Sequence, residues 1–490
     1  MKRIFITLGM IIFIGGLNPH FGQNETDVVR YISTDFSGTA RVASMAGAFG
    51  ALGGDLSTPL INPAGSGIYR KSEIEITPGV AFYNSDVDVL DQNFKSNEGR
   101  FIFSNLGYNY SGAPKSVKPN YFNFSLGYFR IKDFKFNSLT DYNNNNNGSS
   151  MLFDFTSQAQ GVAVDDLPVE SPFYSNLAWQ TYLIDEDSIE STTYLTQPRY
   201  EEYFPGVYQT YEVIENGSLG EIYLNGSMAI QQKVYLGLTL GFTMGNYDRK
   251  TTYKENTIDD SLLLDYHTFS YEQNTSIGGV NIKLGIIYKP EDWLRLGLAY
   301  HIPNQLHITD NWTTVLRSQF KDGTSYSEKS PDGDIEYAVR NPGKLILSAA
   351  LISGFKGLLS IDVEWINYGK AEILSDQFNF NPENEIISES LRNAVNFKIG
   401  GEMWFGRYSV RAGYAFRQNA YKSITSDIPD YFNTFALGAG VLTDMNLYVN
   451  LSGNYKNGYR SQSAYSPSIA PIEQVNQSIV EILVSVGYRF

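Results

Sequence analysis

The C-terminal stretch limits what this chain can fold into more than any other. From Ser478, alternate positions read Ser478, Val480, Ile482, Val484, Val486, Tyr488 and Phe490. The intervening set reads Ile479, Glu481, Leu483, Ser485, Gly487 and Arg489. One apolar face and one mostly polar or small face at period two is the mark of a strand. The same division recurs in Val234, Leu236, Leu238, Leu240 and Phe242 against Tyr235, Gly237, Thr239 and Gly241, and again in Tyr408 to Arg417. A soluble sandwich would turn the apolar face to a core. Here the other face is too often Gly, Ser, Asn or charge, and Tyr and Phe gather at strand ends. That division fits lipid outside, a polar lumen and aromatic girdles.

Counting such segments gives fourteen: 72–84, 99–112, 119–132, 219–231, 233–249, 274–289, 291–308, 342–352, 356–368, 394–406, 407–419, 431–443, 445–457 and 477–490. The number is even, and short and long connections alternate along the chain, as in single-chain bacterial barrels. Lipid leaves no partner for an open sheet edge, so the sheet must close. The expected fold is all-β: a 14-stranded antiparallel transmembrane β-barrel over 72–490. Its turns are periplasmic, and its long loops extracellular, the largest being 133–218.

Before the barrel, Lys2 and Arg3 precede an apolar run from Ile4 to Leu17, broken by Asn18 and Pro19. This reads as a signal peptide over 1–22, cleaved near Gly22. The chain has no cysteine, so there is no thiolate metal site and no disulfide. A net charge of −15 argues against nucleic acid as a partner. Residues 23–71 do not alternate. They are rich in Gly and low in charge, with Gly47 and Gly50 in a small-residue stretch and Asn62-Pro63-Ala64 after it. Such a segment fits a hatch or plug in the lumen better than a tail.

The segment Met45-Ala-Gly-Ala-Phe-Gly50 with Asn62-Pro63-Ala64 resembles the hatch of FadL/TodX-type outer-membrane transporters of hydrophobic compounds. Pro342-Gly343-Lys344, Ser360 to Tyr368, Val410 to Tyr414 and Phe435 to Gly440 resemble later strands of that family, and the Asn-rich loops its Bacteroidota branch. The resemblance implies an outer-membrane protein of a Gram-negative bacterium, surrounded by outer-membrane lipid. It implies a hatch-plugged barrel that passes a long-chain fatty acid or similar ligand, with lateral exit through the wall. It also implies an alternative, since related barrels serve as subunits or docking partners of secretion or insertion complexes.

Chemistry is sparse. No serine has a recognisable nucleophile context, no cofactor motif is present, and His267, His301 and His307 are scattered; the chain reads as no enzyme. Asn143-x-Asn145-x-Asn147-Gly148 with Asp154 imitates a calcium loop, but it begins on Asn within a low-complexity run. Asp332, Asp334 and Glu336 read as a solvated acidic loop, and no metal site is expected. The stronger signal is Phe173, Leu177 and Tyr182, at helical spacing after Pro172, with Phe153 and Phe155 just before. This stripe is either an exposed capture surface for an apolar ligand or a helix packed on the barrel rim. A second loop helix is expected over 385–396. Gly127, in the third strand, is the expected site of a lateral opening.

Tyr488 and Phe490 complete the terminal apolar face and are expected to be read by barrel-insertion machinery. Deleting Phe490 should lower the heat-modifiable, outer-membrane form in fractionated cells. Wild-type levels of folded protein would refute that assignment.

Overall fold

Fourteen antiparallel strands pair in sequence order, and the last returns to the first. They are β1 (Glu73–Val89), β2 (Gln92–Gly112), β3 (Tyr121–Asp133, resuming as Phe136–Asn144), β4 (Val207–Ile230), β5 (Val234–Thr257) and β6 (Leu264–Glu291). Then come β7 (Leu294–His301, resuming as Asn304–Phe320), β8 (Lys344–Ser353, led into by Gly333–Asn341), β9 (Gly357–Asn367) and β10 (Asn393–Phe405). The ring is completed by β11 (Tyr408–Gln418), β12 (Tyr431–Leu442), β13 (Leu447–Gln462) and β14 (Glu473–Arg489). At the seam β1 pairs with β14 from Glu73↔Arg489 to Asp88↔Gln474. Beyond it Ser72 and Phe490 exchange both backbone hydrogen bonds, at 3.1 and 3.0 Å. This computed structural model describes residues 24–35, 38–113, 121–146, 148–187, 192–354, 356–422 and 431–490. The expected signal peptide lies outside them. No helix among the described residues is long and apolar enough to cross a membrane.

The alternation read from the sequence has a structural meaning. On β6, Ile282, Leu284, Ile286 and Tyr288 are exposed on the outer face, while Lys283, Gly285 and Ile287 are buried within. Tyr488 and Phe490 are exposed on that outer face, and their rings stack with centroids 5.8 Å apart. The apolar row of β6 ends at Val280; above it the outward positions are Ser276, Asn274 and Glu272. The strands do not end there. Expected loops 85–98 and 250–273 are largely ladder: β1 and β2 meet in a turn at Leu90-Asp91, and β5 and β6 are separated only by 258–263. Apolar alternation marks the lipid-facing part of a strand. The backbone ladder needs no apolar side chain and runs on past it.

The N-terminal segment meets inward-facing side chains around the ring. Ala40 N donates to Ser485 Oγ on β14 (2.8 Å), and Ser104 Oγ on β2 donates to Gly38 O (2.7 Å). Phe49 N and Gly50 N both donate to Asp362 Oδ2 on β9 (2.9 Å each). Thr239 Oγ1 on β5 donates to Pro59 O (2.9 Å), and Asn225 Nδ2 on β4 to Pro63 O (3.3 Å). Arg41 Nη2 pairs with Glu402 Oε2 on β10 (2.7 Å). Three short helices shape the segment: α1 (Glu25–Ile32), α2 (Ala40–Ala43) and α3 (Thr58–Ile61). Asn24 caps α1, accepting from the Thr26 and Asp27 amides while Asp27 returns a bond to the cap. That capping box, Asn24-Glu-Thr-Asp27, is a start signal the strand-based reading passed over.

The segment's backbone comes against glycines on the wall. A Cβ on Gly413 of β11 would fall 2.6 Å from both Ala46 N and Met45 Cα, and one on Gly400 of β10 2.7 Å from Met45 O. One on Gly285 of β6 would fall 2.8 Å from Ala64 N. The small residues of the inward face therefore make room for a second backbone. Gly413→Val should cost the packing of 43–50 about 1–3 kcal/mol while leaving the outer face untouched. Heat modifiability should persist, and sensitivity to large antibiotics should rise. A variant as impermeable as wild type would contradict this packing.

Candidate substrate path

Above the lipid-facing band the β3–β4 connection forms a cap. It carries α4 (Met151–Ala159), α5 (Ser175–Gln180) and a hairpin of Ile184–Glu186 with Tyr194–Thr196. Leu152, Phe155, Leu177 and Ala178 are buried against Tyr211, Tyr253 and Leu316 of the strand extensions and Tyr465 of the β13–β14 loop. Thr314 Oγ1 donates to Phe173 O (2.8 Å), and Ser318 Oγ to Thr181 O (2.7 Å). These bonds stitch the cap to β7.

The expected stripe is thus split. Phe155 and Leu177 are inside the cap's own core, Phe153 is half-buried beside Tyr200 and Phe204, and Phe173 packs on Trp312 (5.5 Å between centroids). Of the five only Tyr182 is exposed, at 54 %. The stripe is mainly packing, because α5 starts at Ser175. Pro172 lies before the helix, and Tyr182 follows it with a left-handed φ of +57°. The second loop helix is α6 (Asn381–Ser390), earlier than expected, and Val395 lies on β10 facing outward. In the calcium-like run, Asn147 lies outside the described residues. Asp154 accepts from Tyr174 OH (2.6 Å) and Ser466 N (3.2 Å), tying α4 to α5 and to the β13–β14 loop.

Beneath the cap, α1 contributes Val28, Tyr31 and Ile32 to a second apolar cluster with Phe134, Tyr247, Ile308 and Tyr337 of the wall. Tyr31 meets Phe134 and Tyr247 edge-on, at 6.4 and 6.2 Å. Ion pairs surround this lower cluster. Glu215 pairs with Arg460 (2.9 Å), Asp35 with Arg417 (3.1 Å) and Lys456 (3.2 Å), and Asp27 with Arg30.

The expected hatch residues all lie deeper. Gly47 has φ +77° and sits against the Lys398 side chain. Gly50 leaves space for Ser348, whose Cβ would be 3.0 Å from an added Cβ. Asn62 Nδ2 donates to Gly50 O (2.7 Å) and to Ile286 O of β6 (3.2 Å). Pro63 and Ala64 lie against the glycines of β5 and β6. His301, Asp362 and Glu364 are committed to structure. A His301 ring nitrogen lies 3.0 Å from Ile61 O, and Glu364 pairs with Lys398 (2.6 Å).

At Gly127 the wall is continuous: its neighbours in the ladder are Gly107 on β2 and Tyr223 on β4. An added Cβ would come 2.5 Å from Leu106 O and 2.9 Å from Tyr223 OH, so this glycine lets the β2 backbone and a tyrosine come close. The nearest irregularity is a bulge between Arg130 and Lys132. A wider interruption lies between β7 and β8. Their ladder stops at His301↔Lys344 and restarts at Asn304↔Asn341, leaving Ile302-Pro303 opposite Pro342-Gly343. Proline has no N–H to donate, so two prolines facing each other across adjacent strands break the pairing there. A recess of about 550 Å³ adjoins this break, lined by Val280, Pro303, Gln305, His307 and Arg340. The signal was legible as Pro303 in the middle of an otherwise alternating segment.

The same fold occurs in solved structures of transporters. The Pseudomonas putida toluene transporter TodX matches with a TM-score of 0.54 at 14 % identity, over 93 % of this chain and 99 % of that one. A Pseudomonas aeruginosa FadL homologue matches with 0.56 at 10 % identity (94 % and 99 %), and the Ralstonia pickettii toluene transporter TbuX with 0.51 at 12 % (93 % and 99 %). No protein-family model and no curated protein sequence matches this chain.

The cap contains its own pH-dependent element. His267, on the β6 extension above the lipid-facing row, is buried between Phe155 and Tyr253. Neither ring nitrogen has a hydrogen-bond partner among the described residues. Burial lowers the basicity of this imidazole, with Glu255 opposing in part. The folded cap therefore binds fewer protons here than the unfolded chain does. Its stability is full above the ordinary histidine value of about 6.5 and declines as pH falls below it. Amide exchange in 151–184, corrected for intrinsic rate, should accelerate between about pH 7 and about pH 5. His267→Phe should remove that dependence. A flat wild-type profile would contradict it.

Proposed function

We propose that this protein is an outer-membrane channel for hydrophobic small molecules, with the cap as receiving surface and the N-terminal segment as the plug of the lumen. The observation that carries the reading is a barrel of the toluene-transporter fold whose interior glycines accommodate a second backbone. Porin-type water-filled passage does not suit apolar solutes; a filled lumen that moves on loading does. Tyr182, the exposed member of the stripe, with the half-buried Phe153 and Phe173, supplies the apolar contacts of the receiving site, at about 25 cal/mol per Å² buried, while Phe155 and Leu177 hold the cap together beneath them. The break at Pro303 and Pro342 is the lateral exit. On this reading Tyr488 and Phe490, on the outer face of β14, are the residues that barrel-insertion machinery reads. The precise solute, a long-chain fatty acid or a monoaromatic compound, is set by the side chains of the cap and lumen rather than by the fold.

A second reading has its own observation. Val169 is 78 % and Tyr203 60 % exposed on the cap, which suits a docking surface for a protein of an outer-membrane complex.

Uptake separates the two. A deletion strain should lose uptake of radiolabelled oleate or toluene, and the wild-type gene should restore it. The pair Pro303→Val and Pro342→Val, which returns two donors to the ladder, should lower uptake at least threefold with heat modifiability intact. Phe173→Asp should weaken it similarly. A wild type no better than the deletion strain would discard transport in favour of docking.

A further inference from the structure

We propose that the short-turn end of the barrel carries a recognition site for the anionic head of a single-chain amphiphile. The chain as a whole is acidic, at −15, yet the recess under the N-terminal segment is cationic. It measures about 460 Å³, and Arg41, Arg70, Lys71, Arg295 and Arg489 are among the residues that line it. These residues come from the N-terminal segment, from the start of β7 and from the last residue of β14, all beside short turns.

The cations are incompletely compensated. Arg41 and Arg411 share the single carboxylate of Glu402, at 2.7 Å each. Arg489 pairs with Glu73, whose carboxylate also accepts from Tyr69 OH (3.0 Å) and Tyr448 OH (2.9 Å). Nearby Asp55 is engaged by Thr39 Oγ1 and Ser57 N (2.9 Å each). The other three cations meet no carboxylate among the described residues. Arg70 donates to Gly67 O and Tyr69 O and lies over the Tyr121 ring. Arg295 donates to Leu52 O, and its buried Nε has no partner. Lys71 is exposed. A guanidinium with unused N–H groups at a pocket wall is a fork for carboxylate or phosphate.

Apolar side chains share the lining with them: Leu52, Ile68, Ile352, Leu358 and Trp404. A lining that combines unpaired cations with hydrocarbon matches a head group with one acyl chain better than a bare inorganic anion or a neutral hydrocarbon. Two sources share that chemistry: a carboxylate leaving the barrel, and a lysophospholipid of the inner leaflet. The site is defined by binding, so it stands or falls separately from transport.

The test uses the purified full-length protein in dodecyl maltoside and a palmitate analogue carrying a diazirine in its chain. After photolysis, label should map to the peptides holding Ile352, Leu358 or Trp404. The corresponding hexadecanol analogue should label them at least fivefold less. Lys71→Glu and Arg295→Gln should each reduce labelling by about tenfold, the weight of one charge-assisted hydrogen bond. Lys71 is exposed, so its variant remains informative if the Arg295 variant loosens the segment. Competition by palmitate alone identifies the leaving carboxylate, and competition by lysophosphatidylglycerol alone the leaflet lipid; either supports the site. Equal labelling by the alcohol, or full labelling of the Lys71 variant, overturns it.

Discussion

Every backbone N–H and C=O that faces lipid must find its partner in the protein, and no water can substitute. In this chain that requirement is met by one seam, the pairing of β1 with β14 that ends in the reciprocal bonds of Ser72 and Phe490. Closing the sheet there converts a set of hairpins into a wall and creates an interior that must itself be satisfied. Polar groups placed inside by the period of two are no longer solvated from outside. They need partners across the lumen.

Those partners come partly from neighbouring strands and partly from the N-terminal segment. Lys283 meets Glu221, Lys398 meets Glu364, and Arg411 meets Glu402, all between wall strands. Arg41, Phe49 and Gly50 of the segment take up Glu402 and Asp362. A buried charge left without its partner costs several kcal/mol, so wall and segment are held together by the penalty of separating them. The same logic explains the glycines. Only where the wall lacks a side chain can the segment's amides reach inward carboxylates and carbonyls. A conformational change in the segment would have to exchange these contacts for water or ligand, and so it would be coupled to whatever occupies the lumen.

The cap illustrates where local pattern is a poor guide. Phe173, Leu177 and Tyr182 have helical spacing, but spacing alone does not say which way a stripe faces. The strand extensions of β4 to β7 rise beside it and bury Leu177, while Tyr182 turns away after the helix. At Gly127 the strand pairing is continuous, for a related reason. A glycine in a strand signals close approach as readily as a gap, and here it is Tyr223 that approaches. Pro303 and Pro342 carry less ambiguity, because a missing N–H cannot pair in any context.

The sequence by itself determined the class of solvent each face meets. Period-two alternation and the even strand count depend only on lipid, water and the pleat, which act on each strand locally. It also determined that 23–71 was unlike the wall. What it did not contain was how far the ladders run past the lipid, which side of α5 is covered, and which inward glycines face a backbone. Those depend on strands distant in sequence arriving at one height. The break at β7 and β8 is of this kind: each proline is visible alone, but only the register of Ile302-Pro303 against Pro342-Gly343 makes two local defects one interruption in the wall.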